Sequence, residues 1–168
     1  MPKIIENLEM RLVEEARKQA HQMGYSGVTV RSVAAACGVG VGTVYNYFPS
    51  KDDLLAAFLL ADWKACLAVI RHTADQAQQV EAVLQCMYEQ ICFYLETNQG
   101  IFSDSTAAGN FGKALGTYHV CLRQQLAQPL LRFCQDSFAA EFLAEALLTW
   151  TVSGISFECL LPMLKKLL

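Results

Sequence analysis

The side chains best suited to binding chemistry lie close together between residues 29 and 51. Lys51 carries an ammonium group, Thr43 and Tyr45 carry hydroxyl groups, and Asn46 carries a carboxamide. An ammonium or a hydroxyl can donate to a phosphate oxygen, and a carboxamide can pair with N6 and N7 of adenine. Threonine and tyrosine can also contact the thymine methyl group. This set of residues predicts contact with a nucleic acid rather than catalysis.

Two short helices joined by a glycine turn would place these side chains on one surface. Thr29 can cap the first helix, and Gly38 ends it. The second helix is predicted over residues 41–48, with Val44 and Phe48 pointing inward. This is the helix-turn-helix pattern, in which the second helix enters the major groove. The residues left on its outer side are Gly42, Thr43, Tyr45 and Asn46.

The chain on either side of this helix pair could bind the sugar–phosphate backbone. Ser50 and Asp53 form an S-x-x-D capping box that begins the next helix. Lys51 then lies in the first turn, where the macrodipole disfavours a cation. A phosphate bound there would remove this misfit, because helix N-terminal amides and a lysine can hold it together. Thr29 and Arg31 could bind the neighbouring backbone in the same way.

A purely structural interpretation of the same residues stays open at this point. Two short helices joined by a glycine turn also occur in proteins that never touch DNA. Tyr45 and Tyr47 would then be packing residues, and Lys51 would be a solvated charge. The corresponding alternative is a small-molecule or redox-sensing helical module without a DNA function, although such a module would not need these three side chains.

The stretch from Thr29 to Leu55 resembles the N-terminal signature of the TetR family of bacterial transcriptional regulators, and a weaker resemblance covers about residues 4–60. Gly40 and Val41 depart from the family, which often has a serine and a polar residue there. A possible hydroxyl contact is thereby lost, and base reading is weakened at that point. The matching residues are Thr29, Val33, Ala34, Gly38, Val39, Gly42, Thr43, Val44, Tyr45, Tyr47, Phe48, Lys51 and Leu54.

The resemblance implies a homodimeric repressor that binds a palindromic double-stranded DNA operator with two heads. Members of the family release the operator when a small molecule enters the body and the fourth helix swings the heads apart. Helix geometry adds Asn46 to the DNA contacts that the resemblance implies. Those implied by the resemblance are Thr29, Arg31, Gly42, Thr43, Tyr45, Tyr47 and Lys51.

Apolar periodicity predicts helices along the whole chain and no convincing strand. We therefore expect an all-α fold. It has a helix-turn-helix head of three helices over residues 1–50 and a helical effector-binding and dimerisation body over residues 51–168. The other helices are predicted over residues 4–23, with Gly24 as the stop, 51–72, 75–98, 117–136 with a bend at Pro129, and 137–161, with Pro162 bending or ending the last.

The composition indicates more apolar surface than one core consumes. Hydrophobic residues make up 54% of the chain and charged residues 17%, which is more apolar than an average soluble domain. We expect a homodimer interface in which helices of two chains form a four-helix contact. The alternative is that the same residues only close the core of one chain. The predicted interface residues are Leu122, Leu126, Leu130, Phe133, Leu143, Leu147, Trp150 and Ile155.

A cavity between the body helices is the predicted site of an unknown small-molecule effector. The residues selected for its lining are aromatic or sulfur-containing, and each type is also common in an ordinary filled core. They are Trp63, Tyr88, Cys92, Phe102, Tyr118, Cys121 and Trp150.

The distribution of charge fits contact with DNA through one end of the chain. The net charge is −3, but residues 1–51 carry six basic and four acidic side chains, giving +2. Residues 52–168 carry seven basic and twelve acidic side chains, giving −5. A slightly basic head on an acidic body is compatible with a DNA-binding head.

Other classes of function find little support in the sequence. The seven cysteines include no CxxC pair, which argues against a disulfide framework and against a metal site. No nucleophile–base pair or phosphate-binding loop is present, so we expect neither an enzyme nor a cofactor. Four glutamates in residues 1–23 argue against a signal peptide, and three in residues 139–164 argue against a membrane span. We therefore expect a cytoplasmic protein.

Overall fold

A computed structural model of the chain describes residues 7–105, 119–134 and 136–167. Within these ranges the regular elements are α-helices and two short 3-10 helices, and no strand occurs. The all-α prediction is therefore confirmed. The helices are α1 (Leu8–Gly27), α2 (Val30–Cys37), α3 (Val41–Tyr45), α4 (Lys51–Gln76), α5 (Val80–Thr97), α6 (Gln99–Phe102), α7 (helical residues 119–127), α8 (Ser137–Val152) and α9 (Phe157–Leu164). The 3-10 helices are Gln128–Leu130 and Lys165–Leu167.

The described residues form two compact units. The first contains residues 7–62 and 98–105, and the second contains residues 63–97, 119–134 and 136–167. The division falls inside α4, after Asp62. Among the described helices, none is long and apolar enough to cross a membrane.

The first helix buries one face and breaks where the sequence predicts a stop. Leu12, Ala16 and Ala20 repeat at a spacing of four residues and are fully buried. Gly24 has φ 71° and ψ −179°, a backbone conformation that is open essentially to glycine alone. Helical residues nevertheless resume and continue to Gly27. The predicted start at residue 4 lies outside the described residues.

The short helix α6 packs against the end of α1 through a contact between two glycines. A side chain on Gly100 would lie 3.3 Å from the Ala20 carbonyl oxygen and 3.5 Å from the Gly24 Cα. Beyond the glycines, the Ser26 hydroxyl donates to the Asp104 carboxylate at 2.7 Å. The absence of side chains at both glycines is therefore what allows α6 to lie this close to α1.

The core of the second unit consists of residues from α4, α5, α8 and α9 and the segment around Pro129. Four leucines that we predicted at a dimer interface belong to this core, where each is fully buried within the single chain. The prediction was wrong for these four, because apolar spacing indicates which side of a helix is buried but not whether its partner is the same chain or a second one. They are Leu126, Leu130, Leu143 and Leu147.

Several helix ends differ from the predicted ones. The helix α4 continues to Gln76, four residues past the predicted end, and the Arg132 guanidinium donates to the carbonyl oxygens of Ala74 and Ala77 at 2.6 Å. The helix α3 is shorter than predicted and ends at Tyr45. The helix α5 begins at Val80 rather than at residue 75.

The predicted last helix over residues 137–161 is two helices. It breaks after Val152 because Gly154 takes φ 79° and the Ile155 N–H donates to the Trp150 carbonyl at 3.0 Å. This is the hydrogen bond of a Schellman motif, which ends a helix at a glycine. Pro162 lies inside α9 and does not end it. The predicted bend at Pro129 is present as the 3-10 helix Gln128–Leu130.

Candidate nucleic-acid interface

The N-terminus of α2 is fixed by a reciprocal capping box. The Ser32 N–H donates to the Thr29 Oγ1 at 3.0 Å, and the Thr29 N–H donates to the Ser32 Oγ at 3.2 Å. This confirms Thr29 as the cap. The Ser32 hydroxyl in turn donates to the Gln19 Oε1 at 2.6 Å, and Gln19 is itself buried in α1. The start of α2, with the exposed Thr29 and Arg31, is thereby held against α1.

The other end of α2 is fixed to α1 by two bonds between the same pair of residues. The Arg11 guanidinium donates to the Cys37 carbonyl at 3.1 Å, and the Cys37 thiol donates to the Arg11 carbonyl at 3.6 Å. Burial raises the pKa of Cys37, which keeps the thiol protonated and able to donate. Both ends of α2 therefore have a defined position against α1.

The turn between α2 and α3 begins at the predicted glycine. Gly38 takes φ 69° and ends α2, and the Val39 N–H donates to the Ala34 carbonyl at 2.9 Å. The α-helical part of α3 covers only Val41–Tyr45. The backbone then turns, and the Phe48 N–H donates to the Val44 carbonyl at 2.9 Å.

The inner and outer sides of α3 and its following turn are those that the sequence predicts. Val44 and Phe48 are buried, so they brace α3 from behind. Tyr45 and Tyr47 are 50% and 45% exposed, so about half of each residue is open to solvent. Asn46 and Gly42 are exposed and Thr43 is partly exposed. Apart from its chain neighbours and the backbone of α3, no atom of the described residues lies within 4 Å of the position that a Gly42 Cβ would take.

Lys51 begins α4 and makes two contacts inside the chain. Its ammonium donates to the Tyr25 carbonyl oxygen at 2.9 Å and lies 3.7 Å from the centroid of the Tyr25 ring. The Tyr25 hydroxyl donates to the Asp52 carboxylate at 2.7 Å. These contacts compensate the cation at the helix N-terminus, so a phosphate is not required to explain it. A phosphate contact of Lys51 stays a prediction.

The first turn of α4 is capped as the S-x-x-D pattern predicts. The Asp53 N–H donates to the Ser50 Oγ at 3.1 Å, and the Ser50 hydroxyl donates to the Asp53 carboxylate at 2.7 Å. Asp52 and Asp53 place two acidic residues in this turn, where the helix dipole favours negative charge. The cap fixes the position of the α4 start and therefore that of Lys51.

Three residues that position this surface were missed by the sequence analysis: Arg11, Gln19 and Tyr25. Their partners lie 13 to 27 positions away in the sequence. No local spacing rule links such distant positions. For Ser32, a capping pattern of the T-x-x-S type was a usable signal, although the common form has Glu or Gln in the last position.

Comparison with known proteins identifies the head. Residues 12–58 match the sequence model of the family described as bacterial regulatory proteins, tetR family. The chain is thus similar to this family over the segment that contains α2, α3 and the start of α4.

Two curated relatives illustrate how far the sequence similarity extends. The chain is 25% identical over 75 residues to the HTH-type transcriptional regulator UidR of Escherichia coli, covering 45% of this chain and 38% of that protein. It is 39% identical over 54 residues to the HTH-type transcriptional repressor KstR of Rhodococcus jostii, covering 32% of this chain and 26% of that protein. The chain thus matches well under half the length of either relative.

The helical architecture also resembles a solved protein structure. A transcriptional regulator from Cytophaga hutchinsonii superposes with a TM-score of 0.66 at 16% identity, over 83% of this chain and 77% of that one. At this identity the similarity concerns the fold. The chain therefore resembles that regulator in fold without a close sequence match.

The residues predicted to line an effector cavity differ in their surroundings in the structure. Tyr88 and Cys92 lie together, and burial raises the pKa of the Tyr88 phenol, as does the hydrogen bond with the Cys92 thiol. The Trp63 indole N–H donates to the Gln125 Oε1 at 2.8 Å in the buried core. Cys121 and Trp150 are exposed. Phe102 belongs to the first unit, and Tyr118 lies outside the described residues.

The described residues of the second unit enclose a shallow depression of about 220 Å³, which is smaller than a typical ligand site of ~300–1,000 Å³. None of the residues predicted for the effector cavity lines it. Its lining consists of Gln124, Ala127, Gln128, Leu131, Ser137 and Glu141.

Proposed function

We propose that this chain is a sequence-specific DNA-binding transcriptional regulator, a repressor whose head inserts α3 into the major groove of an operator. One observation carries the proposal. The outer side of α3 and its turn exposes Gly42, Tyr45 and Asn46, while Val44 and Phe48 hold the helix from behind. A helix that is held firmly and left open on one side fits groove insertion.

The side chains around α3 supply the backbone contacts of the proposed complex. Thr29 and Arg31 are exposed at the start of α2, and Tyr47 is exposed after α3. Lys51 uses one donor for the Tyr25 carbonyl, and an ammonium has three. The remaining donors of Lys51 can therefore bind a phosphate without loss of the contact to Tyr25.

The full chain, offered a library of random-sequence DNA duplexes, tests this function. We expect enrichment of a palindromic sequence, with an association constant that falls with salt by a log–log slope of about −0.9 per phosphate neutralised. A chain that enriches no sequence and whose DNA affinity does not depend on salt contradicts the proposal. That result would favour the small-molecule or redox-sensing module without a DNA function. A regulator of this kind acts where the bacterial DNA lies, so the proposal includes a cytoplasmic location.

Dimerisation of the regulator would use an apolar stripe on α8, which we define as Phe138, Phe142 and Trp150. These three aromatic residues are 75%, 48% and 52% exposed. Their spacing of four and eight residues places them along one side of the helix. Exposed aromatic clusters of this kind are typical of protein interfaces. Ile155, from the predicted interface, is also exposed.

A polar network lies on the same side of α8 as the stripe, because Glu145 and Thr149 follow Phe142 by three and seven positions. The Glu145 carboxylate accepts from the Thr149 hydroxyl at 2.9 Å and lies 2.9 Å from the His119 Nε2. Burial raises the pKa of Glu145, but the bonds to His119 and Thr149 outweigh this effect and lower it below the usual value. Glu145 therefore stays ionised at neutral pH beside the stripe. A homodimer formed here would carry two heads, as a palindromic operator requires.

The proposed effector is a small molecule that binds the second unit and releases the operator. Native mass spectrometry of the purified full chain detects a bound compound directly. Removal of that compound is expected to raise operator affinity, because the effector-bound state is the one that releases DNA. Equal operator affinity with and without the compound contradicts an effector role for it.

A further inference from the structure

The outer surface of α3 and its flanking turns carries no charged side chain. From Gly38 to Ser50 the sequence contains no arginine, lysine, aspartate or glutamate. Arginine and lysine are the residues that read O6 and N7 of guanine, and carboxylates accept from N4 of cytosine. The groups that recognise a G·C pair most strongly in the major groove are therefore missing from this surface.

The side chains that are present on this surface fit an A·T pair. Asn46 is exposed, and an asparagine carboxamide forms two hydrogen bonds with N6 and N7 of adenine. Thr43 and Tyr45 offer a methyl group and a ring edge that can contact the methyl group of thymine. Val41 is partly exposed and adds an apolar contact of the same kind.

The length of α3 limits how many base pairs it can read. Its five residues rise by about 7.5 Å at 1.5 Å per residue, and successive base pairs of DNA are ~3.4 Å apart. The helix therefore spans about two base pairs, and Asn46 at its end reaches a third. The open space at Gly42 allows the backbone to approach the base edges closely.

From this composition and length we infer that α3 reads a run of two or three A·T pairs in each operator half-site, through thymine methyl groups and one adenine. The inference rests on the proposed function and goes beyond it by naming the base pairs. The cations Arg31 and Lys51 lie outside α3, on α2 and α4, where the proposed function assigns them to the sugar–phosphate backbone.

The experiment begins with duplexes enriched by the full chain from a random-sequence library. Repeating the enrichment with Asn46→Ala and with Tyr45→Ala identifies the positions whose base preference depends on α3. At those positions each thymine is then replaced by deoxyuridine, which removes the methyl group and keeps the base pairing. Deoxyuridine at thymines elsewhere in the same duplex is the matched control.

We expect A·T pairs at the α3-dependent positions and an affinity about tenfold lower after deoxyuridine replacement there, with little change in the control duplex. Loss of preference for one adenine is expected with Asn46→Ala. G·C pairs at these positions, or full affinity without the methyl groups, overturn the inference while leaving the proposed function intact. Failure to enrich any sequence overturns both.

Discussion

At the scale of single residues, Lys51 combines a structural contact with unused binding capacity. Its ammonium is bound to the Tyr25 carbonyl and ring, two contacts that offset the cost of a cation at a helix N-terminus. The same contacts hold the side chain in place beside α3. A lysine ordered in this way loses less side-chain entropy when it binds a phosphate than a free one does.

Replacement of Lys51 by alanine is therefore expected to affect folding and DNA binding together. Loss of the Tyr25 contacts lowers the free energy of unfolding by about 1–2 kcal/mol. Loss of one phosphate contact flattens the log–log salt slope by about 0.9 and lowers the affinity for all DNA sequences alike. Thermal unfolding and binding isotherms at several salt concentrations measure the two effects. Lys64→Ala, at an exposed lysine of the same helix, is the control, and an unchanged slope for Lys51→Ala removes Lys51 from the DNA contacts.

Gly42→Ala is expected to weaken DNA binding without lowering stability, unlike Lys51→Ala. Outside α3 and the adjacent residues, the added methyl group meets no atom within the described part of the chain. Alanine favours a helix over glycine by about 0.5–1 kcal/mol. The variant is expected to be at least as stable as the native chain. The same methyl group projects from the outer side of α3, so operator affinity is expected to fall by about tenfold, or ~1.4 kcal/mol. Operator binding at native strength would mean that α3 does not approach DNA with this side.

Residue-level features were predictable where the signal is local. The Thr29 and Ser50 caps and the Gly38 stop each depend on residues within a few positions, and all three are present. The contact of Lys51 with Tyr25 spans 26 positions, and no local sequence pattern predicts it. The sequence therefore identified Lys51 as unusual and offered a bound phosphate or a solvated charge as explanations, but not the contact with Tyr25.

At the scale of elements, the contact between α6 and α1 depends on two glycines. Gly100→Ala would place a methyl group 3.3 Å from the Ala20 carbonyl, closer than backbone atoms accommodate without movement. We expect a loss of about 1–3 kcal/mol in the free energy of unfolding. Chemical denaturation measures it, with Gln99→Ala at the exposed neighbouring position as the control. Equal stability of the two variants would show that α6 does not depend on this close approach.

Element boundaries were predictable where a residue type enforces them and less so elsewhere. The break at Gly24 and the turn at Pro129 occur at the expected residues. The division of residues 137–161 into α8 and α9 was missed, because apolar residues surround Gly154 on both sides and mask its role as a helix end. The end of α4 also depends on Arg132, 55 or more positions away.

At the scale of the whole molecule, the oligomeric state is expected to depend on the α8 stripe. Phe138→Ser combined with Phe142→Ser removes apolar surface that is exposed in the single chain, so the fold is expected to remain. Sedimentation is expected to give a dimer for the native chain and a monomer for the double variant. Phe93→Ser, at an exposed phenylalanine of α5, is the control and should remain dimeric. A monomeric native chain, or a dimeric double variant, contradicts an interface on α8.

Four leucines of the predicted dimer interface pack within the single chain instead. Leu126, Leu130, Leu143 and Leu147 have the apolar spacing of a helix contact, and they do form one, but within a single chain. Periodicity identifies which side of a helix is buried without identifying its partner. Trp150 was assigned both to the interface and to the effector cavity, and its exposure is consistent with the interface.

The central claim is that the outer side of α3 is the part of the chain that recognises DNA. The most direct measurement is the affinity of Tyr45→Ala for a duplex enriched by the native chain, with Phe102→Ala as an exposed aromatic control. Because Tyr45 is half exposed, we expect a native unfolding curve and an affinity at least about tenfold lower, with native affinity for the control. Native affinity of a correctly folded Tyr45→Ala chain would contradict the claim.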